Sequence, residues 1–168
     1  MAMIYLVHHG DAVGPEVDPA RPLSTRGRAE VDLLAQQAAD RGVKPAVIWH
    51  SGKLRAKQTA EAFWRRCNPL STFAATRGLQ PADPASWMVD ALVAEMRALR
   101  QPQDAPSEHS ESRSDIMLVG HFPYLPRLLA VLLSGNPEAE PVDFPMNGIV
   151  AIEDAGGRWK ERWRLERP

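Results

Sequence analysis

The chain has 168 residues, 44% of them hydrophobic and 24% charged, which is enough for one well-buried core and too little for a second full domain, so a single domain over residues 1–168 is expected. Twenty Lys and Arg against 21 Asp and Glu leave a net charge of −1, a balance that recruits neither nucleic acid nor an anionic membrane. The longest apolar runs, such as 116–119 and 128–133, fall far short of a bilayer span, no apolar stretch of signal length opens the chain, and the single Cys67 allows no internal disulfide, so the expectation is a soluble cytoplasmic protein.

In chain order, residues 3–7 form a short apolar run of strand formers that ends at His8, His9 and Gly10, a buried strand opening into a loop. After a Pro-containing loop over 13–22, Ser24 or Thr25 can cap a helix whose inner face is Val31, Leu34, Ala35 and Ala38, with Gly42 to end it. Residues 46–49 read as a second strand, leading through His50, Ser51 and Gly52 into a helix over roughly 53–66. Asp83 and Pro84 make a helix start, an N-cap followed by proline at the first helical position, with the helix continuing to about Arg100. The polar stretch 101–114 reads as a mobile loop. Residues 116–119 resume as a buried strand ending at Gly120 and His121, and a Leu-rich helix follows to about Leu133. The chain closes on a β-hairpin over 148–152 and 159–165, where Trp159, Trp163 and Leu165 alternate against Lys160, Arg162 and Arg164 and so belong to one core face.

This alternation of strands and helices predicts an α/β fold, a three-layer α/β/α sandwich with a mostly parallel sheet and an antiparallel edge. In such sheets ligands collect beyond the carboxyl ends of the strands, and each of the three predicted inner strands ends in histidine: His8 and His9, His50, and His121. Arg55 falls in the first turn of the helix after the second strand, where the positive helix end also attracts anions. The set therefore points to a small anion. A neutral imidazole with one nitrogen fixed by a hydrogen bond is a competent nucleophile at its other nitrogen, and arginine neutralises phosphoryl oxygens through its planar fork of donors. A cysteine nucleophile is excluded in its usual form, because the arginine expected six positions after Cys67 is Phe73. His8 and His9 do not form a metal pair, since adjacent strand residues point to opposite faces. His50 reads as structural or as a rim residue, and His109 as solvated in the polar loop.

Four segments carry a family resemblance: Leu6-Val7-His8-His9-Gly10-Asp11-Ala12, Asp18-Pro19-Ala20-Arg21-Pro22-Leu23-Ser24, the stretch from Ser51 through Arg55 to Ala60, and Val119-Gly120-His121-Phe122-Pro123. Together, and in this order, they resemble the histidine phosphatase superfamily, with its phosphoglycerate mutase-like fold, and within it the small bacterial phosphohistidine phosphatases of the SixA type. The resemblance implies His9 as the nucleophile, His121 as a second catalytic histidine, and Arg55 as a phosphate ligand. Arg21 and His8 are the further phosphate-binding candidates. It implies no metal and no cofactor, and a phosphorylated protein, such as a histidine-containing phosphotransfer domain, as substrate and partner.

The chain departs from the pattern twice. His8 stands where the family has arginine; a neutral imidazole gives one donor for a fork, and charge-assisted bonds of about 1.5 to 3 kcal/mol each translate to about 10 to 100-fold in rate. A phosphate dianion beside His8 favours the protonated ring, which then restores part of that charge. Larger relatives also carry an acidic residue where this chain has Gly78-Leu79-Gln80-Pro81, leaving Asp18 and Asp83 as the nearest carboxylates. A phosphohistidine leaving group needs less help from an acid than an alkoxide does, so this absence favours phosphohistidine. Two rivals stand beside that reading: a phosphatase of the same fold acting on a small phosphomonoester, and a non-catalytic binder of phosphate or phosphoprotein.

Overall fold

The computed structural model describes residues 2–101 and 114–168. His109 and most of the expected loop over 101–114 lie outside the described residues. The elements are β1 (Met3–His8), α1 (Thr25–Asp40), β2 (Val47–His50), α2 (Leu54–Cys67), β3 (Thr72–Ala75), α3 (Ala85–Leu99), β4 (Ile116–Gly120), α4 (Tyr124–Ser134), β5 (Ile149–Asp154) and β6 (Trp159–Leu165). The strands form one sheet in the order β3-β2-β4-β1-β5-β6; the first four run parallel, and β5 pairs antiparallel with β1 and with β6.

Alternation along β1 divides the interior in two. Ile4 and Leu6 pack with Met88, Leu92, Leu125 and Leu128 from α3 and α4, while Tyr5 and Val7 pack with Val31, Leu34, Ala60 and Phe63 from α1 and α2. Helices on both faces of a mostly parallel sheet make the three-layer sandwich expected from the sequence. Because β1, β2, β3 and β4 are parallel, their carboxyl ends lie along one edge, and His9, His50 and His121 come with them.

Local chemistry explains most boundaries. Ser24 caps α1 by accepting from Gly27 N–H at 2.9 Å, and its hydroxyl also donates to Asp11 Oδ2 at 2.6 Å, so the cap is tied to the loop after β1. Gly27 is required there, because a Cβ at that position would run into the backbone of Asp11. Gly135, at φ 70, ends α4 in the left-handed conformation.

Three expectations need correction. Strand β3 escapes the sequence reading because Thr72-Phe73-Ala74-Ala75 is a short edge strand with only one large apolar side chain and exposed ends. Helix α3 begins one residue later than expected, with Pro84 extended at its cap; Asp83 does not cap the helix but accepts from Gln80 N–H at 2.9 Å, closing the preceding turn. The two tryptophans of β6 lie on opposite faces: Trp159 packs against the α3 and α4 core, Trp163 and Leu165 against the α1 and α2 core. The register explains it, since Ile152 pairs with Glu161 and Ala151 with Trp163, leaving Arg162 as the extra residue of a bulge that reverses the alternation.

Candidate active site

His9 leaves β1 where the strand ends and the loop to α1 begins, and both its ring and its neighbours are anchored. Its Nδ1 is 2.7 Å from the carbonyl oxygen of Gly10, which can only accept, so Nδ1 carries the proton and Nε2 the lone pair. Thr59 on α2 accepts from Gly10 N–H at 3.0 Å and donates to the Arg55 carbonyl at 2.8 Å, joining the first turns of α2 to the same loop. Burial pushes the His9 pKa down to about 4; the positive charges of Arg55 and Arg21 act in the same direction, against the Gly10 bond and Asp11. The ring is therefore neutral at neutral pH, as a nitrogen nucleophile must be.

His121 follows β4, and its ring centroid is 5.1 Å from that of His9. Its Nε2 is 2.6 Å from Ser51 Oγ. Of the two partners of Ser51 Oγ, Lys53 N–H at 3.3 Å can only donate and His121 Nε2 can accept, so the hydroxyl proton is satisfied by donating to Nε2, which puts the imidazole proton on Nδ1. That Nδ1 is buried and has no partner among the described residues, and the same is true of Arg55 Nε. Unpartnered buried donors are costly, and here two of them belong to the residues gathered around His9. Burial first, then the charges of His9, Arg55 and Lys53, lower His121 to about 3; burial and Arg21 lower Arg55. The cluster is a desolvated set of donors whose positive charges meet an opposing one in Asp11 alone, at His9, the environment an anion relieves.

Arg21 lies at the end of the loop after β1, held at φ 50 with its Nε donating to Val13 O at 3.0 Å. Its charge acts on both His9 and Arg55.

His8 is also in the cluster, 4.4 Å from His9 between ring centroids. Its buried ring stacks on Phe122 with centroids 4.0 Å apart, and its Nδ1 accepts from the Asn147 backbone N–H at 2.7 Å. Burial first, then His9 and Arg55, lowers its pKa to about 3, and Nδ1 is taken by the Asn147 N–H, so without a bound anion the ring is neutral and its remaining donor is Nε2–H. His50 is structural: its Nδ1 accepts from Gly52 N–H at 3.0 Å and its ring leans on Phe73. Asp18 and Asp83 are occupied by the backbone amides of Ala20 and Gln80. Among the described residues no group of three or more His, Cys, Asp or Glu gathers as a metal site, and no helix is long and apolar enough to cross a membrane.

Several residues of the site were not singled out from sequence. Ser51 orients His121, Thr59 ties Arg55 to Gly10, and Gln80 Nε2 donates to Ser51 O at 2.6 Å. Asn147 spans both His8 and His9; the one local signal for it is the Asn147-Gly148 pair, an ordinary turn marker.

Comparison with known proteins gives the family and the fold. A search of curated proteins finds no match. Among solved structures, the protein histidine phosphatase SixA complexed with tungstate superposes with a TM-score of 0.78 at 24% identity, over 98% of this chain and 96% of that one. A mycobacterial glucosyl-3-phosphoglycerate phosphatase does so at 0.68 and 17% identity over 96% and 97%, and the phosphoglycerate mutase of Plasmodium falciparum at 0.59 and 16% over 96% and 89%. At these identities the likeness is one of fold. The family profile described as histidine phosphatase superfamily (branch 1) matches residues 4–88, half of the chain, a span that includes His8, His9, Arg21 and Arg55. With a match of that extent and a phosphoglycerate mutase-like fold around it, the chain belongs to the histidine phosphatase superfamily.

Proposed function

We propose that the chain is a phosphohydrolase that accepts a phosphoryl group on His9 and passes it to water, with phosphohistidine on a protein as its substrate. The observation that carries this reading is the bond from His9 Nδ1 to the Gly10 carbonyl, which leaves a neutral Nε2 lone pair beside the unpartnered donors of Arg55 and His121. In the first step the Nε2 lone pair forms a bond to phosphorus as the bond from phosphorus to the substrate's imidazole nitrogen breaks. The leaving imidazole departs neutral when its distal nitrogen already carries a proton. Arg55, His121 Nδ1–H, Arg21 and His8 Nε2–H meet the charge on the phosphoryl oxygens. In the second step water attacks phosphorus, the bond to His9 Nε2 breaks, and inorganic phosphate leaves.

Phosphohistidine is favoured because the first step demands little of an acid. Asp18 and Asp83 are each bonded to a backbone amide, and Gln80 stands in the segment where larger relatives carry a carboxyl group. An alkoxide leaving group lacks a proton donor there. The chemistry needs no metal, and a histidine-containing phosphotransfer domain is the class of protein that presents such a phosphoryl group. Parallel assays with a phosphohistidine protein and with small phosphomonoesters test the substrate: preferential hydrolysis of phosphohistidine is expected, while preference for an alkyl phosphomonoester contradicts it. Phosphate binding without turnover of any of them would mark a binding protein instead.

A further inference from the structure

One residue touches both histidines at the end of β1 from outside the matched family segment. Asn147 is buried in the turn before β5, in the left-handed region at φ 52. Its backbone N–H donates to His8 Nδ1 at 2.7 Å, its side-chain Nδ2 donates to the His9 carbonyl at 2.7 Å, and Arg167 Nη1 reaches its Oδ1 at 3.4 Å. The next carbonyl, that of Gly148, accepts from His8 N–H at 3.0 Å. Left-handed backbone is unfavourable for most side chains and least so for Asn among the larger ones, so the chain keeps there a residue that both tolerates the turn and supplies an amide.

We infer that Asn147 is a positioning residue for phosphoryl transfer: its side chain holds the His9 peptide, and its backbone amide fixes His8 as the Nε2–H tautomer. The inference rests on the reading of His9 as phosphoryl acceptor. With Asn147 in place, His9 is anchored at four points, its ring on the Gly10 carbonyl, its own N–H on the Gly120 carbonyl at 3.2 Å, its own carbonyl on Asn147, and the following amide on Thr59. Nucleophilic attack requires the nitrogen to be held near the phosphorus in line with the leaving group, and loosening one anchor spreads that geometry. The contact with His8 has a separate consequence. A ring whose Nδ1 accepts an N–H bond cannot take a proton at that atom without losing the bond, so His8 serves as a neutral single donor.

Two variants separate these roles. Asn147→Gly keeps the left-handed turn and the backbone N–H to His8 but removes the side-chain amide; Asn147→Asp keeps the shape and places an acceptor against the His9 carbonyl. Rapid-quench measurement of phosphate transfer to His9 from an aryl phosphate is expected to show a roughly tenfold slower step in the Gly variant, with KM little changed, and at least as large a loss in the Asp variant. Nitrogen NMR of the ring reads the tautomer: His8 Nδ1 unprotonated from pH 5 to 8 in the native chain and in Asn147→Gly, and protonated towards the acid end of that range in Asn147→Asp. His9, Arg55 and His121 oppose that protonation, and Arg167 weakens the effect of the new carboxylate, so an upward shift against them is specific to the 147 side chain. A Gly variant that transfers phosphate at the native rate, or a native His8 protonated at Nδ1, would overturn the inference while leaving His9 as the acceptor. Failure to find phosphate on His9 in the native chain would overturn the reading beneath it.

Discussion

His9 and Gly10 are adjacent in sequence, and the imidazole of one turns back to donate from Nδ1 to the carbonyl of the other at 2.7 Å. This contact places the ring proton on Nδ1 and leaves the lone pair on Nε2, and burial keeps the ring uncharged. With His9 near 4 and both His8 and His121 near 3, the three rings are uncharged through neutrality. Phosphoryl transfer from an aryl phosphate is expected to rise as pH passes upward through about 4 and to show no change from the chain's own histidines between pH 6 and 8. A pre-steady-state pH profile with its acid limb near 6.5 would mean that the nucleophile is not desolvated in this way.

The same shifts affect stability. All three histidines have folded pKa values below the unfolded value of 6.5, so the unfolded chain binds more protons as pH falls. The stability this represents is complete above pH 6.5 and is lost as pH falls from there towards 4 and 3. Thermal unfolding midpoints should decline over that window, and added inorganic phosphate should reduce the decline, because a bound anion offsets the repulsion among the protonated rings. An unchanged midpoint from pH 7 to 4 would contradict the burial of these groups.

Ser51 and His121 come from the ends of neighbouring strands, and the Ser51 hydroxyl holds the His121 ring at Nε2. Ser51→Ala removes that donor and frees the tautomer, with an expected fall in kcat of about 5 to 10-fold for a net bond worth about 1 kcal/mol. Arg55→Lys replaces a planar fork by a point charge and should cost about 10 to 100-fold in kcat/KM through lost charge-assisted bonds. Equal activity in Arg55→Lys would remove Arg55 from the phosphate site.

The layers, the parallel sheet and its histidine-bearing edge are legible in the sequence because each rests on a contiguous signal: apolar runs at 3–7 and 116–119, a Ser24 cap, and motifs that begin where strands end. What is illegible depends on register or on chain reversal. Asn147 is 139 residues from His8 and meets it only because β5 pairs antiparallel with β1. The faces of Trp159 and Trp163 turn on one bulged residue, Arg162, which periodicity alone cannot place. The charge state of His8 is likewise a product of folding: its stack on Phe122 and its bond to the Asn147 amide bring together residues from three parts of the chain.

His8→Arg tests the departure from the family pattern. The new guanidinium adds donors at the site but takes away the acceptor for the Asn147 N–H, a buried amide whose loss costs about 1 to 3 kcal/mol. Phosphate affinity should rise about tenfold while the unfolding midpoint falls, with the alkaline side of the pH profile unchanged because the native His8 is already neutral there. If phosphate affinity and rate both stay at native values, His8 packs behind the nucleophile without touching phosphate.

Chelation distinguishes this chemistry from metal-assisted hydrolysis. Activity should survive dialysis against EDTA in full, and inhibition that is reversed by added divalent metal would contradict a transfer that uses only the chain's own side chains.

The most direct measurement is the trapping of phosphate on the chain. Native protein mixed with a labelled phosphohistidine protein, quenched in alkali and digested, should carry acid-labile, alkali-stable label on the peptide containing His9. His9→Ala should carry none and lose at least about a thousandfold in turnover, with its unfolding midpoint near the native one. Label on another residue, or full turnover in His9→Ala, would contradict the account.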